Sequence, residues 1–101
     1  MEAANTAAVA ATGAGLRLRL YVAGNAPNSL RAIANARTIC DEHFDGCHEL
    51  EIVDLLVDPR RALADGIIVT PTLLKLWPLP MQRLIGNLSD TNQVRLALAA
   101  T

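Results

Sequence analysis

Four side chains that could bind a soft metal fall within nine residues: Cys40, His43, Cys47 and His48. If one helix ran through them, Cys40, His43 and Cys47 would share a face, and thiolate with imidazole is zinc chemistry. Structural zinc sites, however, draw ligand pairs from two elements that close on each other, and Gly46 interrupts this segment. The thiols are therefore read as reduced cysteines and the histidines as solvated residues at a helix end, with no metal and no cofactor expected. The seven-residue spacing of the cysteines also matches no Cys-x-x-Cys exchange motif. A second candidate is Gly24-Asn25-Ala26-Pro27-Asn28-Ser29, where backbone N–H groups ahead of a helix could hold an anion. It lacks the Lys-Ser/Thr pair of a phosphate loop, and a turn followed by a helix start accounts for the same residues.

Charge excludes other classes of function. Nine basic and ten acidic residues in 101 give a net charge of −1, too balanced for the footprint that a nucleic-acid backbone demands. The charges are nevertheless segregated: Leu16 to Arg37 holds four Arg and no acid, and Asp41 to Asp58 holds seven acids and no Lys or Arg. The plain reading is two solvated faces; the sharper one is a polarised surface that orients the domain on a protein partner. The apolar run from Gly66 to Leu74 is too short to span a membrane. Two cysteines suit a reducing compartment, and Glu2 stands where a secretory signal needs a base, so a soluble, cytoplasmic protein is expected.

The elements that position these residues follow from hydrophobic spacing. Residues 1–15 hold seven Ala and little bulky apolar surface, which predicts a flexible tail before one domain over residues 16–101. Leu16, Leu18, Leu20 and Val22 alternate with Arg17, Arg19 and Tyr21, a strand with one buried face. Pro27 with Asn28 or Ser29 as cap starts a helix, with Leu30, Ile33, Ala36, Cys40 and Phe44 toward the core and Gly46 as its end. Glu49 to Val57 reads as a second strand, parallel to the first through a right-handed crossover. Asp58-Pro59 opens a short helix, Arg60 to Asp65, stopped by Gly66. Thr72 to Leu76, the Trp77-Pro78-Leu79-Pro80 break and Met81 to Ile85 read as a hairpin. Asp90 and Gln93 stand at capping-box spacing before a last helix, with Val94, Ala97, Leu98 and Thr101 inward.

The order β-α-β-α-β-β-α makes an α/β, thioredoxin-like arrangement, with Thr70-Pro71 where that fold places a cis-proline before its third strand. Its redox centre belongs at the start of the first helix, where the helix N-terminus favours a thiolate, and Gly24 to Ser29 contains no thiol. Leu20-Tyr21-Val22-Ala23-Gly24-Asn25 with Pro27-Asn28-Ser29, Asp54-Leu55-Leu56 with Asp58-Pro59, Thr70-Pro71-Thr72-Leu73, and Leu84-Ile85-Gly86-Asn87-Leu88-Ser89-Asp90 together resemble the KaiB family of cyanobacterial circadian clock proteins, over about residues 16–100.

That resemblance implies a non-enzymatic regulator that binds the ring-shaped ATPase KaiC and then recruits KaiA or displaces a sensor kinase with a thioredoxin-like N-terminal domain. It also implies a metamorphic chain, with a tetrameric ground state ordered β-α-β-β-α-α-β and a KaiC-binding monomer of thioredoxin-like form. By position, Lys75, Arg83 and Arg31 match basic family residues linked to partner binding, and Ile67 and Ile68 match the apolar stretch facing KaiC. Lys75 and Arg83 are accordingly expected at the surface. Departures from the family pattern are Gly66 for a usual Lys, Gln82 for one of two paired Arg, Ala97 and Ala99 where Gly and Asp are common, and no acidic tail up to Thr101. These leave open an adaptor in stress or kinase signalling outside the core oscillator, and a thiol oxidoreductase remains the alternative on the same fold. Pro71, Ala97 and Ala99 are the candidate fold-switch positions. Relative to Gly and Asp, the two Ala favour helix over strand by ~1 and ~0.5 kcal/mol, so the thioredoxin-like form is expected, as a monomer or weak oligomer.

Overall fold

Leu16–Val22 forms β1, and its alternation is realised: Leu16, Leu18, Leu20 and Val22 are all buried. The computed structural model describes residues 15–44 and 48–99; the expected tail, Gly46, Cys47 and Thr101 lie outside them. After β1 come α1 (Pro27–His43), β2 (His48–Asp54), α2 (Pro59–Ala64), β3 (Thr72–Trp77), β4 (Gln82–Ile85) and α3 (Thr91–Ala99). The sheet runs β2-β1-β3-β4. β1 pairs parallel to β2 and antiparallel to β3, and β3 pairs antiparallel to β4. This is the expected thioredoxin-like arrangement, with α1 and α3 on one side of the sheet and α2 on the other.

The register explains the segregated charge. Arg17 lies opposite Glu49 and Arg19 opposite Glu51, and both pairs close with Nε to Oε1 distances of 2.9 Å. The basic stretch on β1 and the acidic stretch on β2 thus neutralise each other across neighbouring strands, which removes much of the polarised surface that the sequence suggests.

The larger core joins β1 to α1, α3 and Leu73 of β3. The expected face of α1 is largely realised: Ala36 and Cys40 are buried, Ile33 and Phe44 pack partly buried against the core, and only Leu30 is exposed, with Ser29, Ala32 and Ile39 buried as well. Small side chains at Ser29, Ala32 and Ala36 let the helix approach the sheet closely. Neither Asn28 nor Ser29 caps the helix; Ala26 is the N-cap and Pro27 follows it. Ser29 is turned inward instead, and its Oγ accepts the Ala23 N–H at 3.1 Å.

β2 ends at Asp54, three residues earlier than the apolar pattern predicts. Its Oδ1 accepts the N–H groups of Gly24 at 3.0 Å and Leu56 at 2.9 Å, so the carboxylate folds residues 55–57 into a turn. At α3 the expected cap is present, with the Gln93 N–H donating to Asp90 Oδ1 at 3.2 Å and Val94 and Leu98 buried.

α2 buries only Ala62 of its six residues, and charge holds it in place. Arg61 Nη2 donates to Glu51 Oε1 at 2.8 Å, with Nη1 on Oε2. Asp65, the C-cap, receives Arg19 Nη1 at 2.9 Å and the Tyr21 hydroxyl at 2.6 Å on the same oxygen. The hydrogen bonds from Arg61 and then Arg19 pull the Glu51 carboxyl down to about 2 from its ordinary 4.5. Asp65 is lowered mainly by the Tyr21 hydroxyl, and Tyr21 is pushed up to about 12, chiefly by burial.

A carboxyl depressed in the folded state stabilises fully above its ordinary value and loses that contribution as pH falls toward its folded one. Acid titration of stability should therefore show a loss between pH 4.5 and 2 that Glu51→Gln flattens. Because the Glu51 side chain is 43% exposed, solvent screening holds this contribution to ~1 kcal/mol or less. Denaturant midpoints measured across that pH range for the two proteins check it.

Candidate functional site

Since β1 and β2 run parallel and β3 antiparallel to them, four connections meet at one end of the sheet: the β1–α1 turn, the β2–α2 turn, the loop into β3 and the loop after β4. Tyr21 lies opposite Thr72, and Thr72 opposite Ile85, which puts the end of β4 at this same edge. Exposed aliphatic side chains from three of these segments gather there: Leu56 and Val57 from the β2–α2 turn, Ile68 and Val69 from the loop before β3, and Ile85 at the end of β4. Trp77, Leu79 and Met81 are exposed at the opposite end, in the connection from β3 to β4. Leu56 and Val57 escape the sequence reading because their run looks like a continuing strand. The signal that could have found them is Asp54 two residues ahead, an Asx-turn former.

Backbone geometry fixes this end. Gly24 adopts φ +54, and a Cβ there would meet Leu56 Cδ1 at 3.1 Å, so both its conformation and the neighbouring turn favour glycine. The Thr70-Pro71 peptide is cis, as expected, and the Pro71 carbonyl accepts the Gly86 N–H at 3.0 Å. Trp77-Pro78 and Leu79-Pro80 are cis as well. Asn87 ties the loop after β4 to α1 through its carbonyl, which accepts from Asn35 Nδ2 at 2.8 Å.

The family-matched residues do not form one cluster. Ile68 is 92% exposed, whereas Ile67 is half-buried and packs into the α2-side core with Tyr21, Val53 and Leu74. Arg83 is exposed on β4 and lies beside them, its guanidinium on the carbonyls of Asp65 and Gly66. Arg31 sits on the exposed side of α1, with Nη1 3.4 Å from Asn28 Oδ1. Lys75 is the correction. It is fully buried, at 0% exposure, because alternation along β3 places it with Leu73 toward α1 and α3 and the sheet is covered there. In this arrangement it cannot offer its charge to a partner's surface. Pro71 is buried, Ala97 half-buried and Ala99 exposed, the last two within α3.

The thiol position of the fold holds a hydrogen-bonded turn instead. The Ala26 N–H donates to the Ala23 carbonyl at 3.2 Å, and Ser29 Oγ is used by Ala23. Cys40 is buried in the core far along α1, and burial pushes its thiol up to about 11, away from the thiolate that exchange needs. Cys47 and the side chain of His48 lie outside the described residues, and among the described residues no group of three His, Cys, Asp or Glu is placed to hold a metal. No described helix is long and apolar enough to cross a membrane.

Comparison with known proteins supplies what the geometry lacks. The KaiB domain profile matches residues 19–100. The circadian clock oscillator protein KaiB of Prochlorococcus marinus is 48% identical over 81 residues, 80% of this chain and 68% of that protein. The protein of the same name from Synechococcus elongatus is 47% identical over 81 residues, 80% of this chain and 79% of its own. Among solved structures, the N-terminal domain of Synechococcus elongatus SasA superposes with a TM-score of 0.67 at 25% identity, over 86% of this chain and 88% of that one. Chloroplastic thioredoxin z superposes at 0.71 with 17% identity, over 97% and 88%, a likeness of fold alone.

Two outcomes follow from these placements. Lys75→Ala should destabilise the protein by ~2–4 kcal/mol, since it empties a buried site and strands whatever the ammonium meets; a melting temperature within a degree of wild type contradicts the burial. Insulin-reduction assays should show no turnover above background with dithiothreitol as reductant, and activity that disappears in Cys40→Ser or Cys47→Ser would show the opposite.

Proposed function

The chain belongs to the KaiB family, and on that premise we propose that it is a non-enzymatic regulator that docks on a KaiC-like ATPase ring and there recruits or displaces other clock components. The observation that carries the reading is the likeness to the SasA N-terminal domain at a TM-score of 0.67. Two chains of one shape can compete for one docking site, so a sensor kinase bearing such a domain is the component displaced, and KaiA is the component recruited. The identities of 47–48% to clock KaiB proteins support the ring as the primary partner.

Docking draws on the exposed end of the sheet. Ile68 supplies an aliphatic side chain whose burial is worth ~1.5–3 kcal/mol, with Ile67 behind it, and Arg31 supplies rim charge. The helical form of residues 91–99 is the form that binds, with Pro71, Ala97 and Ala99 biasing the chain toward it and a tetrameric β-α-β-β-α-α-β state as its alternative. A second reading, an adaptor for a kinase outside the oscillator, is favoured by one substitution. Gly66 stands where the family usually carries Lys and adopts φ +67, so a charge next to the docking residues is exchanged for a turn.

Calorimetry with a purified KaiC ring tests the reading: wild type should bind, and Ile68→Ala and Arg31→Ala should each lose ~1–3 kcal/mol with melting temperatures near wild type. Absence of binding to the ring, with capture of a sensor-kinase domain retained, selects the adaptor. Backbone chemical shifts should report helix over residues 91–99, and Ala97→Gly combined with Ala99→Asp should shift the population about tenfold toward the alternative. Strand shifts there in wild type, with a tetramer by light scattering, contradict the assignment of the binding form.

A further inference from the structure

We propose that Arg83 is a positioning residue for partner binding, which holds the loop presenting Ile68 instead of meeting the partner with its own charge. The inference rests on the docking reading above. Arg83 Nη1 donates to the Gly66 carbonyl at 2.9 Å, and Nη2 donates to the Asp65 carbonyl at 3.1 Å. These acceptors lie just past the end of α2, where a helix leaves its last carbonyls without internal partners. Reaching two carbonyls with one rigid fork is guanidinium chemistry that an ammonium cannot reproduce. One N–H of each terminal nitrogen is thereby engaged within the chain.

The clamp matters because α2 cannot hold itself. Six residues are too few for an independent helix, and only Ala62 is buried. Arg61 on Glu51, and Tyr21 and Arg19 on Asp65, pull the helix toward β1 and β2. Arg83 supplies the tie from β4, on the opposite flank. Between these anchors the chain turns at Gly66, and the Ile67 N–H donates to the Ala62 carbonyl at 2.8 Å. Thr72 Oγ1 then donates to the Val69 carbonyl at 2.6 Å and closes the far end. Ile68 is thereby held outward between two fixed points. A side chain displayed on a preformed loop surrenders less freedom on docking, so removing the clamp weakens binding even if Arg83 never touches the partner.

Hydrogen exchange of the free protein and a double-mutant cycle read the two halves of this claim. The amides of Asp65, Gly66 and Ile67 donate within α2 and its end. In Arg83→Ala they should exchange about tenfold faster or more while β1 amides are unchanged, with Arg83→Lys recovering part of the protection. For binding to the KaiC ring, Arg83→Ala should cost about tenfold with Ile68 present and about threefold or less in the Ile68→Ala background. Unchanged exchange at residues 65–67, or equal losses of affinity in both backgrounds, overturns the proposal. Failure of wild type to bind the ring is a different result: it overturns the docking reading, while the exchange data still report on the clamp.

Discussion

The hydrogen bond from Tyr21 to Asp65 decides where the second layer of the protein lies. β1 is one of two interior strands and must be covered on both faces, yet its sequence offers Leu, Leu, Leu and Val on one and Arg17, Arg19 and Tyr21 on the other. Burying a phenol requires an acceptor for its hydroxyl, and the oxygens within reach are the Asp65 carboxylate and the Arg61 carbonyl. Both belong to α2 and its cap. The helix is therefore docked by a polar necessity of the strand beneath it, and Arg19, Arg61 and Glu51 complete a network in which each charge faces an opposite one. Acid weakens this layer through Glu51 and Asp65, the two carboxylates whose pairing holds it.

The architecture is legible in the sequence wherever one physical signal acts alone. Alternation over Leu16–Val22, the proline-led start of α1, the Thr70-Pro71 junction and the Asp90 cap are all local, and each element they predict is present. The misreadings share a cause: a tertiary contact outweighs a local pattern. Leu30 is misread as core because the seam of α1 with the sheet takes Ser29 and Ala32 beside it instead. Leu55 to Val57 do not extend β2 because Asp54 captures the amides of Gly24 and Leu56. Lys75 looks like surface because Lys usually is, and only the position of α1 and α3 over β3 places it inside.

The charge pattern has the same moral. Blocks of like charge along the chain read as two faces of a surface, but parallel pairing of β1 with β2 interleaves them residue by residue. Segregation in sequence thus serves strand recognition: a one-residue slip in register would set Arg17 and Arg19 against apolar neighbours and the buried leucines against Glu49 and Glu51. Exposed at the end of the sheet where β1 and β2 finish are the aliphatic side chains of Leu56, Val57 and Ile68.

The two border strands of the sheet carry one more consequence, which concerns how copies of this chain behave when crowded. A border strand has a row of main-chain donors and acceptors facing outward, and two such rows from different copies can zip into a fibre. β4 limits this by brevity, with four residues entered from a proline-rich link that withholds amide hydrogens. β2 is longer, seven residues, and its Glu49 and Glu51 are already paired with Arg17, Arg19 and Arg61, so a second β2 brought alongside would meet little unpaired charge from these two acids. The acids that fix the register of β1 and β2 are thereby spent within one molecule, and of the two borders it is the short, proline-led β4 whose own sequence resists such zipping.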